Sequence, residues 1–223
     1  MLSNASLSDT RPYIDTQADA YTSSVDKGVL RKRLFDISFS LLISLFVLSW
    51  LIPLLGIAIR LNSPGPILYV QLRTGRKGRQ FRCFKLRTMV SKPETEFRQA
   101  AQNDPRITKL GQLLRKTNLD ELPQFLNVLL GDMSVVGPRP HPIPLDAQHW
   151  HTLPNYAERY AVKPGITGLA QVRGHRGETD TLQKMQHRVR LDRWYIAKRS
   201  LMLDARICLW TVTKMVQGDK KAW

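Results

Sequence analysis

The chain has little cysteine and little acid. Cys83 and Cys208 are the only two cysteines in 223 residues, and they stand in no C-x-x-C spacing. That speaks against a disulfide framework and a cysteine zinc site, and fits a reducing, cytoplasmic setting. His149 and His151 form an H-x-H pair with no third ligand close in sequence, a weak basis for a metal site. No GxxxxGK[ST] or GxGxxG pattern supplies a ready-made phosphate cradle. Internal repeats and low-complexity blocks are also absent. The first 28 residues are rich in Ser, Thr, Asp and Ala without an apolar period, and read as a disordered tail. They lack the basic start and apolar centre of an export signal.

The shortage of acid has a consequence for partners. Against 34 Lys and Arg stand 18 Asp and Glu, a formal net charge of +16. Such an excess calls for nucleic acid, an anionic membrane surface or phosphate-bearing substrates. A nucleic-acid reader would show a recognisable motif or interleaved aromatics, and neither is visible, so nucleic acid is not expected as a partner.

What is present begins with a run of 23 residues without charge, Ile37 to Ile59. As a helix it would be roughly 35 Å long, against a hydrocarbon core of about 30 Å. Arg31, Lys32 and Arg33 precede it, and Arg60 and a string of later cations follow. Cytoplasmic flanks carry the Lys/Arg excess, and here both flanks do. A single span would put one of them on the wrong side. Ser49, Trp50, Pro53 and Gly56 lie near or past the middle, where proline can kink a helix and serine can satisfy a freed carbonyl. The expectation is a re-entrant helix that bends near Ser49 and Pro53 and returns to the cytoplasmic side. A straight anchor with a tolerated kink is the alternative.

After "NSPGP" at residues 62–66, two β-prone runs flank "TGRKG" and predict a basic hairpin. Residues 90–105 read as a surface loop. Apolar spacing predicts a helix around Ile107 to Leu114, and a second around Leu122 to Leu129 that Gly131 would stop. "MSVVGPRPHPIP" reads as a short strand with a proline-stiffened loop, and "VKPGITGLAQVRGH" as a Gly-rich loop. Helices are expected at about 179–198 and 201–216, where Trp194 and Trp223 suit a membrane interface and a plain core helix equally well. The expected fold class is α+β and mostly helical. It comprises a disordered tail (1–28), a membrane-embedded re-entrant helix (29–61) and a compact cytoplasmic catalytic domain (62–223) with a small β-hairpin and interfacial helices.

"NLDELPQ", residues 118–124, carries the candidate chemistry. Asn118 with Glu121 three residues on has capping-box spacing, so on pattern alone the segment is helix punctuation. The functional reading uses the same place. Asp120, near Arg115 and Lys116, is expected to stay ionised at neutral pH and could attack phosphorus. Glu121 could help hold Mg²⁺.

The order "KRLFD", an apolar run, "SPGP", "FKLRTM", "LRKTNLDELPQFLNVLLGDMSVVGPRP" and "VKPGITGLAQV" resembles the monotopic bacterial sugar transferases, which are polyprenyl-phosphate phosphoglycosyltransferases. The similarity runs from about Arg31 to the C-terminus. It implies an enzyme of the bacterial inner membrane, facing the cytoplasm, that starts exopolysaccharide or other glycan assembly. By Mg²⁺-dependent transfer it moves a sugar-1-phosphate from a UDP-sugar to undecaprenyl phosphate and releases UMP. On this resemblance Asp120 is the nucleophile and Glu121 its metal-side partner, both candidate metal ligands. Lys85, Arg87 and Arg115 are substrate-binding cations, and Pro138, Arg139 and Pro140 form the nucleotide-side loop. The family's second loop often continues to Gly-Arg, whereas this chain has Gly174-His175-Arg176, so either His175 or Arg176 takes the phosphate-contacting role. Family members commonly have Ser-Pro at the membrane kink; here Ser49 is followed by Trp50. A rival reading is a non-catalytic basic module binding the membrane surface. Another is an ordinary glycosyltransferase, which would release UDP. The sugar and the polymer are not legible, and a homodimer stays open.

Overall fold

The computed structural model describes residues 28–90, 99–101 and 104–217. The expected tail up to residue 27, parts of the 90–105 loop and Trp223 lie outside the described residues.

The apolar run is helical throughout, from α1 (Val29–Ile43) through a π-helical turn (Ser44–Leu48) into α2 (Ser49–Asn62). The chain does not break at Ser49–Pro53. The departure from α geometry lies one turn earlier, where the Ser49 amide donates to the Ser44 carbonyl, five residues back. The widened turn precedes Pro53, which can neither donate nor tolerate a close carbonyl four residues before it. Side chains supplement it: the Ser49 hydroxyl donates to the Leu45 carbonyl at 2.6 Å and the Trp50 indole to the Phe46 carbonyl at 2.8 Å.

One face of this helix is part of the protein core. Phe35, Phe39, Ile43, Leu48 and Ile52 pack with Phe81, Phe125 and Val128, while Leu55 and Ile59 pack with Leu86 and Leu114. The opposite face leaves Leu41, Leu45, Phe46, Trp50, Leu54 and Ile57 exposed. Both ends are tied down by charge. At the start, Arg33 donates to the Val128 and Leu129 carbonyls at 2.6 and 3.0 Å, and Lys32 bridges Asp36 and Asp204 at 3.0 Å each. Asp36 also accepts from the Val135 amide and the Ser134 hydroxyl. At the far end, Arg87 donates to the Ile59, Ser63 and Pro64 carbonyls.

The predicted hairpin is β1 (Leu68–Thr74) paired antiparallel with β2 (Gln80–Leu86), joined by a short 3-10 turn. Beyond β2, Asn127 takes the place of a further strand. Its amide oxygen accepts from the Phe84 N–H at 3.0 Å, and its nitrogen donates to the Arg82 carbonyl at 2.7 Å. Asn127 sits on α4 (Gln124–Leu130), which ends at Gly131 in the left-handed region. The preceding helix is α3 (Lys109–Lys116), capped by Thr108, whose hydroxyl accepts from the Gly111 amide.

The expected Gly-rich loop contains a strand. β3 (Ser134–Val136) and β4 (Gly165–Thr167) form a two-stranded parallel sheet. A Cβ on Gly165 would collide with the Gly137 backbone, so glycine is needed for this close approach. Between these strands lie α5 (Ile143–His149) and a 3-10 segment (Tyr156–Ala161); after them come α6 (Leu169–Val172), α7 (Leu182–Lys198) and α8 (Leu201–Gln217). Helix α8 buries Ile207 and Asp204 while exposing Met202, Leu209, Val212 and Val216. The fold is therefore mostly helical with small two-stranded sheets, organised around one long apolar helix.

Candidate active site

Helix α3 ends in a sharp reversal. Asn118 adopts a left-handed conformation (φ 62°), a region that asparagine tolerates better than most residues. The chain then makes a 3-10 turn, Leu119–Glu121, before Pro123 leads into α4. This overturns the capping-box expectation. No side-chain cap bond comes from Asn118, and Glu121 reaches across to cations instead of back to the backbone. Left-handed geometry at Asn118 is incompatible with the extended backbone an N-cap normally has.

The reversal turns Asp120 and Glu121 inward, to 6% and 4% exposure, at a cavity of about 470 Å³. Around Glu121 three cations converge from three separate parts of the chain. Lys85 of β2 stands 2.8 Å from Oε1, and Arg139 forks onto both oxygens at 2.7 and 3.1 Å. The third, Arg176, lies 3.6 Å from Oε2. Asp120 is treated differently: its buried Oδ1 has no hydrogen-bond partner among the described residues.

The electrostatics follow this asymmetry. Burial pushes the Asp120 pKa up, and the Glu121 charge adds to it, outweighing Lys85, Arg176 and Arg115. Burial works the same way on Glu121, but Arg139, Lys85 and Arg176 outweigh it and hold the carboxyl well below its usual range. Burial and the Glu121 charge thus outweigh the nearby cations that the sequence reading relied on to favour the Asp120 anion. A three-residue turn offers little helix dipole, and the cations are engaged by its neighbour. Burial lowers the Lys85 pKa despite Glu121.

The other expected residues divide. Arg115 lines the cavity and donates to the Thr88 hydroxyl at 2.9 Å; burial lowers its pKa. Arg87 also lines the cavity, yet its guanidinium grips the carbonyls at the end of α2. Pro140 lines the cavity, whereas the Pro138 carbonyl accepts from the Gly165 amide behind it. Arg176 faces Glu121, while the His175 ring packs against His187 with centroids 5.7 Å apart. Ser49 and Pro53 belong to the long helix and not to this cavity.

Sequence reasoning missed the buried layer beneath the Pro-Arg-Pro loop. Arg159 donates to the Arg139 carbonyl at 2.8 Å and pairs with Asp192 at 2.8 Å. Its Nη1 contacts His141 Nδ1 at 2.5 Å, and burial with Arg159 and Arg188 nearby holds His141 well below its usual pKa. Asp146 accepts from both the Tyr156 and Tyr160 hydroxyls. On the opposite side of the loop, Arg73 donates to the Pro140 carbonyl at 2.6 Å. The available signal was on α7, where Arg188 and Asp192 share the buried face with Met185, Val189, Tyr195 and Ile196.

Comparison with known proteins bears on the family and leaves the roles of these residues as a proposal. The model of the family described as bacterial sugar transferase matches residues 27–218. A UDP-glucose:undecaprenyl-phosphate glucose-1-phosphate transferase of Escherichia coli (strain K12) is 47% identical over 186 residues, covering 83% of this chain and 40% of that protein. A protein of the same name from Caulobacter vibrioides is 46% identical, covering 85% of this chain and 71% of the relative. The exopolysaccharide production protein PSS of Rhizobium leguminosarum bv. phaseoli is 45% identical, covering 85% and 96%. The chain thus spans about two fifths of the E. coli relative and nearly all of the Rhizobium one. With its family model matched over most of its length, the chain belongs to the bacterial sugar transferase family.

Proposed function

We propose that the chain transfers a sugar-1-phosphate from a UDP-sugar to undecaprenyl phosphate, with Asp120 as the nucleophile. The carrying observation is the pair of unlike carboxylates: Asp120 is buried at the cavity with an unpartnered oxygen, beside a Glu121 held by three cations. The names of the relatives, which specify UDP-glucose and undecaprenyl phosphate, supply the substrate class. The cavity volume of about 470 Å³ lies within the range of small-molecule sites.

In the first half-reaction an Asp120 oxygen attacks the phosphorus that bears the sugar. The bond from that phosphorus to the bridging oxygen breaks, and UMP leaves with the oxygen. In the second half-reaction a phosphate oxygen of the lipid attacks the same phosphorus, displacing Asp120 and giving undecaprenyl-diphosphate-sugar. One phosphoanhydride replaces another, so positioning and charge screening are the main demands. A raised pKa makes the Asp120 anion the more basic nucleophile once ionised. Lys85, Arg139 and Arg176 orient Glu121 and present positive charge toward the phosphates.

Mg²⁺ fits one side of this donor set. The unpartnered Asp120 Oδ1 is a hard oxygen donor, whereas both Glu121 oxygens already face cations. Among the described residues there is no group of three or more His, Cys, Asp or Glu, so phosphate oxygens and water would complete the shell, as Mg²⁺ prefers. When bound, the ion would screen phosphate charge from the anionic nucleophile.

We read the long helix as re-entrant in the inner membrane, with the rest of the chain facing the cytoplasm and the exposed apolar face of α8 at the interface. The support is that both ends of the helix are tied to the same domain while its middle presents a bare apolar face. Initiation of exopolysaccharide or other glycan assembly is the corresponding role.

The test is Asp120→Asn assayed with a UDP-sugar panel and undecaprenyl phosphate. UMP release should fall by about 10⁴-fold or more, while membrane association is retained. Release of UDP by the unmodified protein would instead indicate ordinary glycosyl transfer. UMP release by the variant at the unmodified rate would remove Asp120 from the nucleophile role.

A further inference from the structure

Arg188 of α7 is only 4% exposed and borders the cavity, yet no carboxylate lies in ion-pair distance of it among the described residues. Burying an unneutralised guanidinium is costly, and an apolar residue would pack the same space at lower cost. Burial, with Arg139 and Arg159 close by, lowers its pKa. Its neighbours suggest why a cation is kept there. Nε donates to the His175 carbonyl at 3.0 Å and Nη2 to the Gly177 carbonyl at 2.6 Å, while Nη1 lies 3.2 Å from His141 Nε2.

Those two carbonyls flank Arg176. The stretch from Arg173 to Asp180 contains no helix or strand; the amides of Arg173, Gly174 and His175 donate to carbonyls of α6, and just beyond them Arg188 grips the carbonyls on either side of Arg176. A planar fork spans two carbonyls at a fixed separation, which a point charge on a flexible stem does not. The Arg176 guanidinium stands 3.6 Å from Glu121, a separation that small movements of the loop would change.

We propose that Arg188 is a positioning residue: by gripping the backbone on either side of Arg176, it sets that guanidinium against Glu121 and the phosphate-binding cavity. The inference rests on the transfer reaction proposed above. It concerns the geometry of the loop and assigns Arg188 no direct contact with substrate.

The experiment is a double-mutant cycle on kcat/KM for UMP release, combining Arg176→Ala with Arg188→Gln and separately with Arg188→Lys. Activity of the unmodified protein reports on the reaction itself, and the cycle reports on Arg188 alone. Arg176→Ala should lower kcat/KM by about 10²-fold. Each Arg188 single variant should lower it by about tenfold, lysine faring no better than glutamine because the fork is lost in both. In the Arg176→Ala background, either change at Arg188 should have an effect of about twofold or less. Effects that multiply would overturn the proposal, as expected of a general structural role or an independent substrate contact. Retention of activity in Arg188→Lys would also overturn it, since charge and not the grip would then be what matters. If glutamine weakens folding, the lysine arm still decides the question.

Discussion

At the scale of single residues, two adjacent carboxylates have been given opposite electrostatics. Among the described residues Glu121 faces three cations, whereas the buried Oδ1 of Asp120 has no hydrogen-bond partner. Because burial raises the Asp120 pKa above the ordinary 3.8, proton loss is resisted in the folded state. Its burial therefore favours folding fully below that ordinary value, and that contribution is lost as pH rises through the folded pKa. Asp120→Asn should accordingly raise the melting temperature at neutral pH while abolishing turnover, a trade of stability for activity that calorimetry and UMP release would detect together. In the metal-free protein the stability difference between Asp120→Asn and the unmodified chain should develop as pH rises through a value above the ordinary aspartate range. A difference that develops at or below 3.8 would contradict the raised pKa. The sequence made this pair conspicuous through its setting in a basic chain. It did not reveal the asymmetry, which depends on Lys85, Arg139 and Arg176 arriving from distant segments.

At the scale of elements, legibility followed locality. The hairpin, α4 and its Gly131 stop were readable because alternation, helical spacing and a C-terminal glycine are local signals. Strand β4 was hidden inside a Gly-rich segment, since its pairing with β3 is a contact between segments some thirty residues apart. Asn118 was misread because the same asparagine suits an N-cap and a left-handed turn, and only the backbone distinguishes them. Asn127 illustrates a role no pattern announces: a fully buried amide that satisfies both an N–H and a carbonyl of β2. Asn127→Ala strands both groups and should destabilise by roughly 2–6 kcal/mol, summing about 1–3 kcal/mol for each. Urea unfolding in detergent would measure it, and a loss below about 0.5 kcal/mol would mean the strand edge finds other partners.

At the scale of the whole molecule, the +16 charge and the apolar helix describe one disposition, cations beside an exposed greasy face. Single cysteines at Arg31 and Arg79, both exposed, test the topology. Membrane-impermeant thiol reagents should label both from the cytoplasmic side and neither from the other. Opposite labelling would establish a single span. The core contacts of the helix carry a further consequence. Leu48 and Ile59 are buried, and their partners Phe125, Leu86 and Leu114 belong to the elements around the cavity. The long helix and the elements that build the cavity are therefore one packed unit, and the exposed turn at residues 63–66 joins parts that share a core. A truncation beginning at residue 62 should yield an insoluble or molten product instead of a free enzyme. On the membrane placement proposed above, detergent or lipid should then be needed for folding itself, beyond any need for meeting a lipid substrate.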